Sequence, residues 1–167
     1  MLTTQTHATP LGDLTLLSDD QALLGVWFSD QKYFGAGYDL TQAQTGTTSP
    51  LEQAGKWLDR YFAGAAPSPA DLPLRPEVTA FRASVLQVLR QVPYGTTITY
   101  QKIADQLDRK APTRKHAARA VGGAVGHNPL SIVIPCHRVV GSDGSLTGYA
   151  GGLDRKVALL QLEGVVL

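Results

Sequence analysis

The chain has 167 residues, of which 43% are hydrophobic and 17% charged, and this balance predicts a globular protein of one large domain or two small ones. The net charge of +1 hides an uneven distribution: residues 1–74 hold three lysines and arginines against eight acids, and residues 75–167 hold twelve against six. A basic half beside an acidic half indicates a polyanionic partner, although a solvated basic face would give the same count.

The lone cysteine, Cys136, excludes an internal disulfide and a four-cysteine zinc site. No two of the four histidines have the i,i+4 spacing of helical metal ligands, so we expect no metal site. We also expect no cofactor. No segment approaches about 18 uncharged apolar residues, and the first residues lack a basic region followed by an apolar run. We therefore expect neither a membrane span nor a signal peptide, and a location in the reducing cytoplasm, where a thiol stays free.

The N-terminal part predicts short strands and one helix. Apolar residues between 14 and 28 alternate or cluster on both sides of a polar turn at 18–21, as in a β-hairpin. Residues 29–49 predict a loop, and an apolar stripe at helical spacing predicts a helix from Pro50 to Phe62. Four prolines within residues 63–76 then predict a linker. We expect an N-terminal α/β subdomain over 1–74 and a C-terminal domain over 77–167.

The C-terminal part predicts mainly helices. The pattern favours one helix from a cap at Thr79 to the turn at Pro93, a second from 99 or 100 to 107, and a third from 113 or 114 to 125. The last two have the outline of a helix-turn-helix, which many helical pairs share without binding anything. Residues 131–134 predict a buried strand or extended segment, and 141–152, with five glycines, predict a surface loop. Asp154 is a candidate cap for a last helix.

Cys136 is a candidate nucleophile because it ends an apolar segment and precedes two potential cations, His137 and Arg138. The alternative is a buried, inert cysteine. Adjacent side chains usually diverge, so a water is the natural connection between Cys136 and His137 if the histidine is the base. Glu163 is a candidate carboxylate to orient the imidazole, or else a surface charge near a helix end.

Six short motifs occur in order along the second half: VPYG at 92–95, TY at 99–100, AARAVGGA at 117–124, HNP at 127–129, IPCHRVV at 134–140 and TGYAGG at 147–152. Together they resemble the O6-alkylguanine-DNA alkyltransferases, also called methylated-DNA–protein-cysteine methyltransferases. The resemblance covers essentially all of residues 77–167, and the N-terminal part matches more loosely.

The resemblance implies an α+β or α/β fold, in which a small ribonuclease H-like sheet with one helix precedes a mostly helical domain that contains the helix-turn-helix. It also implies DNA repair by direct reversal. The alkyl group on O6 of guanine would move to Cys136 in one step, and an alkyl group on O4 of thymine is a second candidate substrate. Because a thioether does not hydrolyse readily, the protein would be consumed after one transfer.

The resemblance also implies roles for other residues. His137 would relay the cysteine proton through a water to Glu163. Around this pair it places Asn128 as a brace for the cysteine turn, Tyr100 as a donor to the departing guanine, Lys156 as a support of the network, and Val139, Tyr149 and Ala150 as walls of the base pocket. Without the resemblance, Tyr100 reads as a core aromatic, Asn128 as a turn former and Lys156 as a solvated charge.

Double-stranded DNA is the implied partner, contacted through its minor groove by a monomer. The target base must leave the helix, and Arg119 would take its place in the stack. The small residues Ala118, Gly122 and Gly123 would allow close approach, and Lys110, Arg114 and Lys115 would contact phosphates. A solvated basic turn is the alternative reading of those three cations.

The sequence departs from the family pattern between Tyr100 and Arg119, where eighteen residues form a longer and more basic turn than expected.

Three other functions fit parts of the chain. A non-catalytic sensor of alkylated bases would lack the acceptor cysteine, and a helix-turn-helix transcription regulator leaves the cysteine motif unexplained. A cysteine hydrolase would turn over many times.

Overall fold

The computed structural model describes residues 1–111 and 115–167, which form two compact units. The first unit comprises residues 1–77 together with 129–133, and the second comprises 78–128 together with 134–167. The helices within the described ranges include none with the length and apolar character needed to cross a membrane.

The first unit is built on a four-stranded sheet. Its strands are β1 (Thr3–Thr9), β2 (Gly12–Ser18), β3 (Leu23–Phe28) and β4 (Gln44–Thr45), in the spatial order β3-β2-β1-β4. The pairs β1–β2 and β2–β3 are antiparallel, and β4 runs parallel to β1. The predicted hairpin is therefore confirmed as β2 and β3. The sequence gives no sign of β1, because its segment TTQTHAT lacks an alternating apolar pattern.

Helix α1 (Ser49–Phe62) confirms the predicted helix within one residue. Thr48 caps it by accepting a hydrogen bond from the backbone N–H of Leu51, and Pro50 occupies the first turn, where a missing N–H costs nothing. The helix packs on the sheet through one buried face that includes Trp57 and Tyr61, whose rings stack 5.8 Å apart.

The second unit is mostly helical, as predicted. It contains α2 (Ala80–Leu89), α3 (Tyr100–Lys110), α4 (Ala118–Gly126) and α5 (Leu153–Leu162). Two short parallel strands, β5 (Ile98–Thr99) and β6 (Val139–Val140), join the segment before α3 to the segment after the cysteine. Thr79 caps α2 as expected. The predicted fold class, a small sheet with one helix followed by a mainly helical part, is confirmed.

The strand or extended segment predicted at 131–134 is wrong, because these residues form a turn, but the predicted burial of all four is confirmed. The Val133 N–H donates to the Ser131 carbonyl, and Ile132 between them has a φ of 70°. This three-residue turn forces a β-branched side chain into the left-handed region, which is a strained conformation. A run of apolar β-branched residues resembles a strand in sequence. Here the Ser131 N–H donates to the Val26 carbonyl of β3 at 3.1 Å, but the chain then turns at Ile132.

Two further predictions concern the starts of helices α4 and α5. The predicted start of the third helix, at 113 or 114, lies outside the described residues. Within them α4 begins at Ala118: Ala117 before it is extended, with a φ of −79° and a ψ of 143°, and the His116 N–H donates to the Asp108 carboxylate at 2.7 Å. Asp154 does not cap α5: Gly152, with a φ of 96°, is the N-cap, and Asp154 lies in the first turn. There its negative charge interacts favourably with the positive, N-terminal end of the helix dipole.

Candidate active site

Cys136 begins a short 3-10 helix, Cys136–Arg138, that leads into β6. The turn before it is held at the carbonyl of Ile134, which accepts hydrogen bonds from the Cys136 N–H and from Asn128 Nδ2, both at 2.8 Å. Asn128 is itself buried. The structure therefore places Asn128 where it fixes the backbone that carries the cysteine.

The thiol of Cys136 lies in a buried, partly polar environment. Burial raises the pKa of the thiol, whereas a hydrogen bond from the Asn128 side chain and the charge of Lys156 act in the opposite direction. Since burial is the largest influence, the resting cysteine is a protonated thiol at neutral pH. A nucleophilic attack by sulfur therefore needs a base to take its proton.

His137 and Glu163 form a fully buried pair. The ring Nε2 of His137 lies 2.7 Å from Glu163 Oε2, and neither side chain is exposed to solvent. Burial lowers the pKa of His137, and the hydrogen bond and charge of Glu163 raise it. Glu163 is placed by the end of α5, where Gly164 adopts a φ of 84° and closes the helix with the paired terminal hydrogen bonds of a Schellman motif.

Two further groups hold the Glu163 carboxylate. Arg138 donates from Nε to Oε1 at 2.8 Å and from Nη2 to Oε2 at 3.1 Å. The backbone N–H of Gly95 donates to Oε1 at 3.1 Å. Gly95 has a φ of 78°, and a Cβ there would stand 3.0 Å from the Glu163 carbonyl oxygen, so a glycine suits this approach.

Lys156, from the first half of α5, is completely buried and holds three backbone carbonyls. Its Nζ donates to Val139 at 2.5 Å, to Thr147 at 3.1 Å and to Gly148 at 3.5 Å. Burial lowers the pKa of this amine. Lys156 thus joins β6, which follows the cysteine, to the glycine-rich loop that carries Tyr149 and Ala150.

Tyr100, the first residue of α3, contacts the same loop. Its phenol oxygen accepts a hydrogen bond from the Thr147 hydroxyl at 3.0 Å. Gly122 of α4 lies against the Tyr100 ring, where a Cβ would stand 3.8 Å from it. The ring of Tyr149 meets His137 edge-on at 6.5 Å, and Ala150 beside it is half-buried. All six predicted catalytic residues and the three predicted pocket residues therefore belong to the second unit.

The predicted DNA-contacting residues lie on α3, α4 and the segment between them. Arg119 is exposed in the first turn of α4, with Ala118 and Gly122 half-buried and Gly123 exposed. Lys110 ends α3, and both it and Lys115 are exposed. Arg114 lies outside the described residues.

From the sequence, Gly95 and Thr147 have no assigned role, and Arg138 is treated only as a cation near the thiol. The structure places all three in this network. Each lies within a motif that carries the family resemblance, which is the signal that could have drawn attention to them. Their partners are 25, 68 and 47 positions away in sequence, and a single sequence does not reveal such pairings.

Comparisons with known proteins agree with this geometry. A family model described as "6-O-methylguanine DNA methyltransferase, ribonuclease-like domain" matches residues 2–76, and one described as "6-O-methylguanine DNA methyltransferase, DNA binding domain" matches residues 80–165. A methylated-DNA–protein-cysteine methyltransferase of Mycolicibacterium paratuberculosis is 42% identical over 98% of this chain and 93% of its own. One of Haemophilus influenzae is 39% identical over 94% of this chain and 83% of its own.

Solved structures give the same result. The O6-methylguanine methyltransferase of Mycobacterium tuberculosis superposes with a TM-score of 0.83 at 39% identity, over 98% of this chain and 93% of that one. The Mycobacterium tuberculosis protein solved in complex with DNA also gives 0.83, at 38% identity over 96% and 92%. Motifs, fold and relatives agree: the chain belongs to the O6-methylguanine-DNA methyltransferase family.

Proposed function

We propose that Cys136 accepts the alkyl group from O6 of an alkylguanine in DNA. The activity is that of a DNA-repair methyltransferase, and the reaction is an in-line displacement at the alkyl carbon. The bond from that carbon to guanine O6 breaks as the bond to Cys136 Sγ forms. Guanine is the leaving group, and the thioether that remains on the protein ends its activity after one transfer.

The proton of the thiol leaves through His137. His137 Nε2 is held by Glu163, so the base acts from the opposite ring nitrogen, with a water between that nitrogen and Sγ. The guanine that departs gains a proton, and Tyr100 is the donor we assign to it. In the balanced reaction, the thiol loses one proton and the released guanine carries one.

The surroundings suit a planar base. Val139 is held through its carbonyl by Lys156, and the same ammonium fixes the loop that carries Tyr149 and Ala150. A fixed pocket wall favours catalysis because the base is oriented before the reaction. We assign Tyr149 as an aromatic face for the base.

DNA is the partner, and we infer that the second unit enters its minor groove through α4. The reacting oxygen is inaccessible inside a duplex, so the alkylated nucleotide must be flipped out. Arg119 is exposed at the start of α4 and can take the place of the flipped nucleotide in the base stack. The small residues Ala118, Gly122 and Gly123 allow the helix to approach the groove closely.

Contacts to phosphate would hold the protein on DNA without regard to sequence. Lys110, Arg114 and Lys115 carry the charge for this. Among residues 1–111 and 115–167, no side chain caps the N-terminus of α4, so its N–H groups can point at a phosphate. We infer that the protein acts as a monomer in the cytoplasm, where the free thiol of Cys136 stays reduced.

One observation carries this proposal: the buried thiol of Cys136 stands beside Asn128, immediately before a His137–Glu163 pair 2.7 Å apart. The test is the intact mass of the protein after mixing with one equivalent of a duplex that contains one O6-methylguanine. We expect a gain of one methylene on Cys136 in the wild type, and no gain in Cys136→Ser.

Tight, damage-selective binding without a mass gain would point instead to the non-catalytic sensor. The absence of both binding and mass gain would refute the proposed reaction.

A further inference from the structure

Arg138 is a buried cation to which the proposed reaction gives no part. Only 8% of its side chain is exposed. Besides its two bonds to Glu163, it donates from Nη1 to the Val92 carbonyl at 2.7 Å, and its guanidinium carbon lies 5.7 Å from the centre of the Tyr94 ring. A guanidinium that is held on three sides in this way has a fixed position.

This fixed cation decides the state of Glu163. Arg138 and the Gly95 N–H can only donate hydrogen bonds, and together they supply three donors to the carboxylate. A neutral Glu163 would leave the guanidinium as an unpaired buried charge, which is strongly unfavourable. Glu163 is therefore ionised, and its contact with His137 is a hydrogen bond donated by Nε2–H.

We propose that Arg138 is a positioning residue for alkyl transfer: by holding Glu163 as a fixed anion, it keeps the His137 proton on Nε2 and the ring's lone pair on Nδ1. The inference rests on the proposed function, in which His137 takes the thiol proton. In a neutral imidazole only one nitrogen can accept a proton, so the tautomer decides whether the base faces the cysteine. Arg138 acts through Glu163 and does not itself touch the reacting atoms.

The charges around His137 indicate that Arg138 also affects the pKa of the ring. The titratable or charged groups that face His137 are Cys136 and Arg138 from its own segment, Lys156 and Glu163 from α5 and its end, Tyr149 from the glycine-rich loop, and Tyr94 behind Arg138. Burial lowers the pKa of His137, Glu163 raises it, and the charges of Arg138 and Lys156 lower it again. Removing the charge at Arg138 therefore raises the pKa of His137.

The test is the pH profile of the single-turnover rate with a duplex carrying one O6-methylguanine. In Arg138→Gln we expect at least about a tenfold lower rate near neutral pH, and an acidic limb displaced to higher pH. Arg138→Lys keeps the positive charge but loses the bidentate contact with Glu163. The acidic limb of its pH profile should therefore stay nearer that of the wild type, although its single-turnover rate falls. Arg90→Gln, which removes a half-buried arginine at the end of α2, is the matched control and should change neither quantity.

Nitrogen NMR of the His137 ring in the full chain gives a second readout that survives if Arg138→Gln fails to fold. We expect the proton on Nε2 in the wild type and a mixture of tautomers in Arg138→Lys. A wild-type ring protonated on Nδ1, or a rate in Arg138→Gln that falls equally at every pH, would overturn the role of Arg138. If the wild type itself transfers no alkyl group, the proposed function has failed before this inference is reached.

Discussion

At the scale of single residues, the contact between Thr147 and Tyr100 has a direct consequence for catalysis. Thr147 donates its hydroxyl proton to the phenol oxygen at 3.0 Å, so the phenol is left to donate its own proton elsewhere. An oxygen that accepts one hydrogen bond becomes a stronger donor through polarisation. Thr147 thus prepares Tyr100 for the donor role that we assign to it on the departing guanine.

Replacing Thr147 by valine should lower the single-turnover rate about fivefold, the equivalent of one hydrogen bond of about 1 kcal/mol. Thr147→Ser keeps the hydroxyl and should restore most of the rate. The measurement is a double-mutant cycle with Tyr100→Phe, in which the valine effect should vanish. Equal losses from Thr147→Val with and without the Tyr100 hydroxyl would contradict the coupling.

His137 makes stability depend on pH in a defined direction. Its pKa in the folded protein lies below the ordinary value of 6.5 because the ring is buried. As the pH falls below 6.5, the unfolded chain takes up a proton there that the folded chain does not, so the contribution of His137 to stability is lost. We expect NMR titration to show a mainly neutral His137 ring at pH 6.5, together with a lower free energy of unfolding at pH 5.5 than at 7.5. A ring that is half-protonated at or above pH 6.5 would contradict this.

At the scale of elements, strand β3 contains a glycine, Gly25, that leaves room for the ring of Trp27. A Cβ on Gly25 would stand 1.9 Å from the buried ring of Trp27, so an alanine there cannot fit unless the indole moves. Gly25→Ala should lower the free energy of unfolding by about 1–3 kcal/mol through overpacking, as measured by urea denaturation. Gly46→Ala is the control, because its Cβ would meet only Thr3 at an ordinary 3.6 Å. Equal stabilities of the two variants would refute the packing argument.

The longer turn between α3 and α4 gives a prediction about DNA binding. Lys110 and Lys115 are exposed at its two sides, and its base is tied by Asp108, which accepts from the His116 N–H at 2.7 Å. If the two lysines contact phosphates, the double variant to glutamine should weaken binding and reduce the slope of log affinity against log salt by about one for each lost contact. Lys32→Gln with Lys56→Gln, two exposed lysines of the first unit, is the control. An unchanged salt slope in the Lys110 and Lys115 variant would exclude the turn from the interface.

The sequence predicts the elements whose signal is local. The segment of helix α1 contains both a capping residue and an apolar stripe at helical spacing. The segment of the β2–β3 hairpin contains both an alternating apolar pattern and a polar turn. Both predictions are confirmed. Strand β1 has almost no apolar residues, and its pairing with β2 supplies the order that its sequence does not indicate. The prediction at 131–134 fails for the opposite reason. The β-branched residues there favour a strand, but the buried backbone turns at Ile132, where the Val133 N–H donates to the Ser131 carbonyl.

The same division applies to the active site. The motif around Cys136 indicates a nucleophile, and the family resemblance extends this to Asn128, Lys156 and Glu163. The clamp of Arg138 on Glu163 joins residues from different elements, and only the folded chain brings them together. The tautomer of His137 follows from that clamp, so it too is invisible in the sequence.

At the scale of the whole molecule, charge and chemistry are divided along the chain. Residues 1–74 carry an excess of acids, and DNA phosphates repel them, whereas residues 75–167 carry the excess of lysine and arginine. Every residue that we place in alkyl transfer or DNA contact, apart from Arg114, lies in the second unit as the structure describes it. We therefore expect the DNA footprint to be made mainly by the second unit.

If the protein itself is the final acceptor of the alkyl group, each chain is used once. The most direct measurement is a titration with excess duplex that carries a radiolabelled methyl group on O6 of one guanine. The label bound to protein should reach one equivalent per chain and stop, with none released into solution. Continued release of labelled methanol beyond one equivalent would identify a hydrolase and contradict the claim.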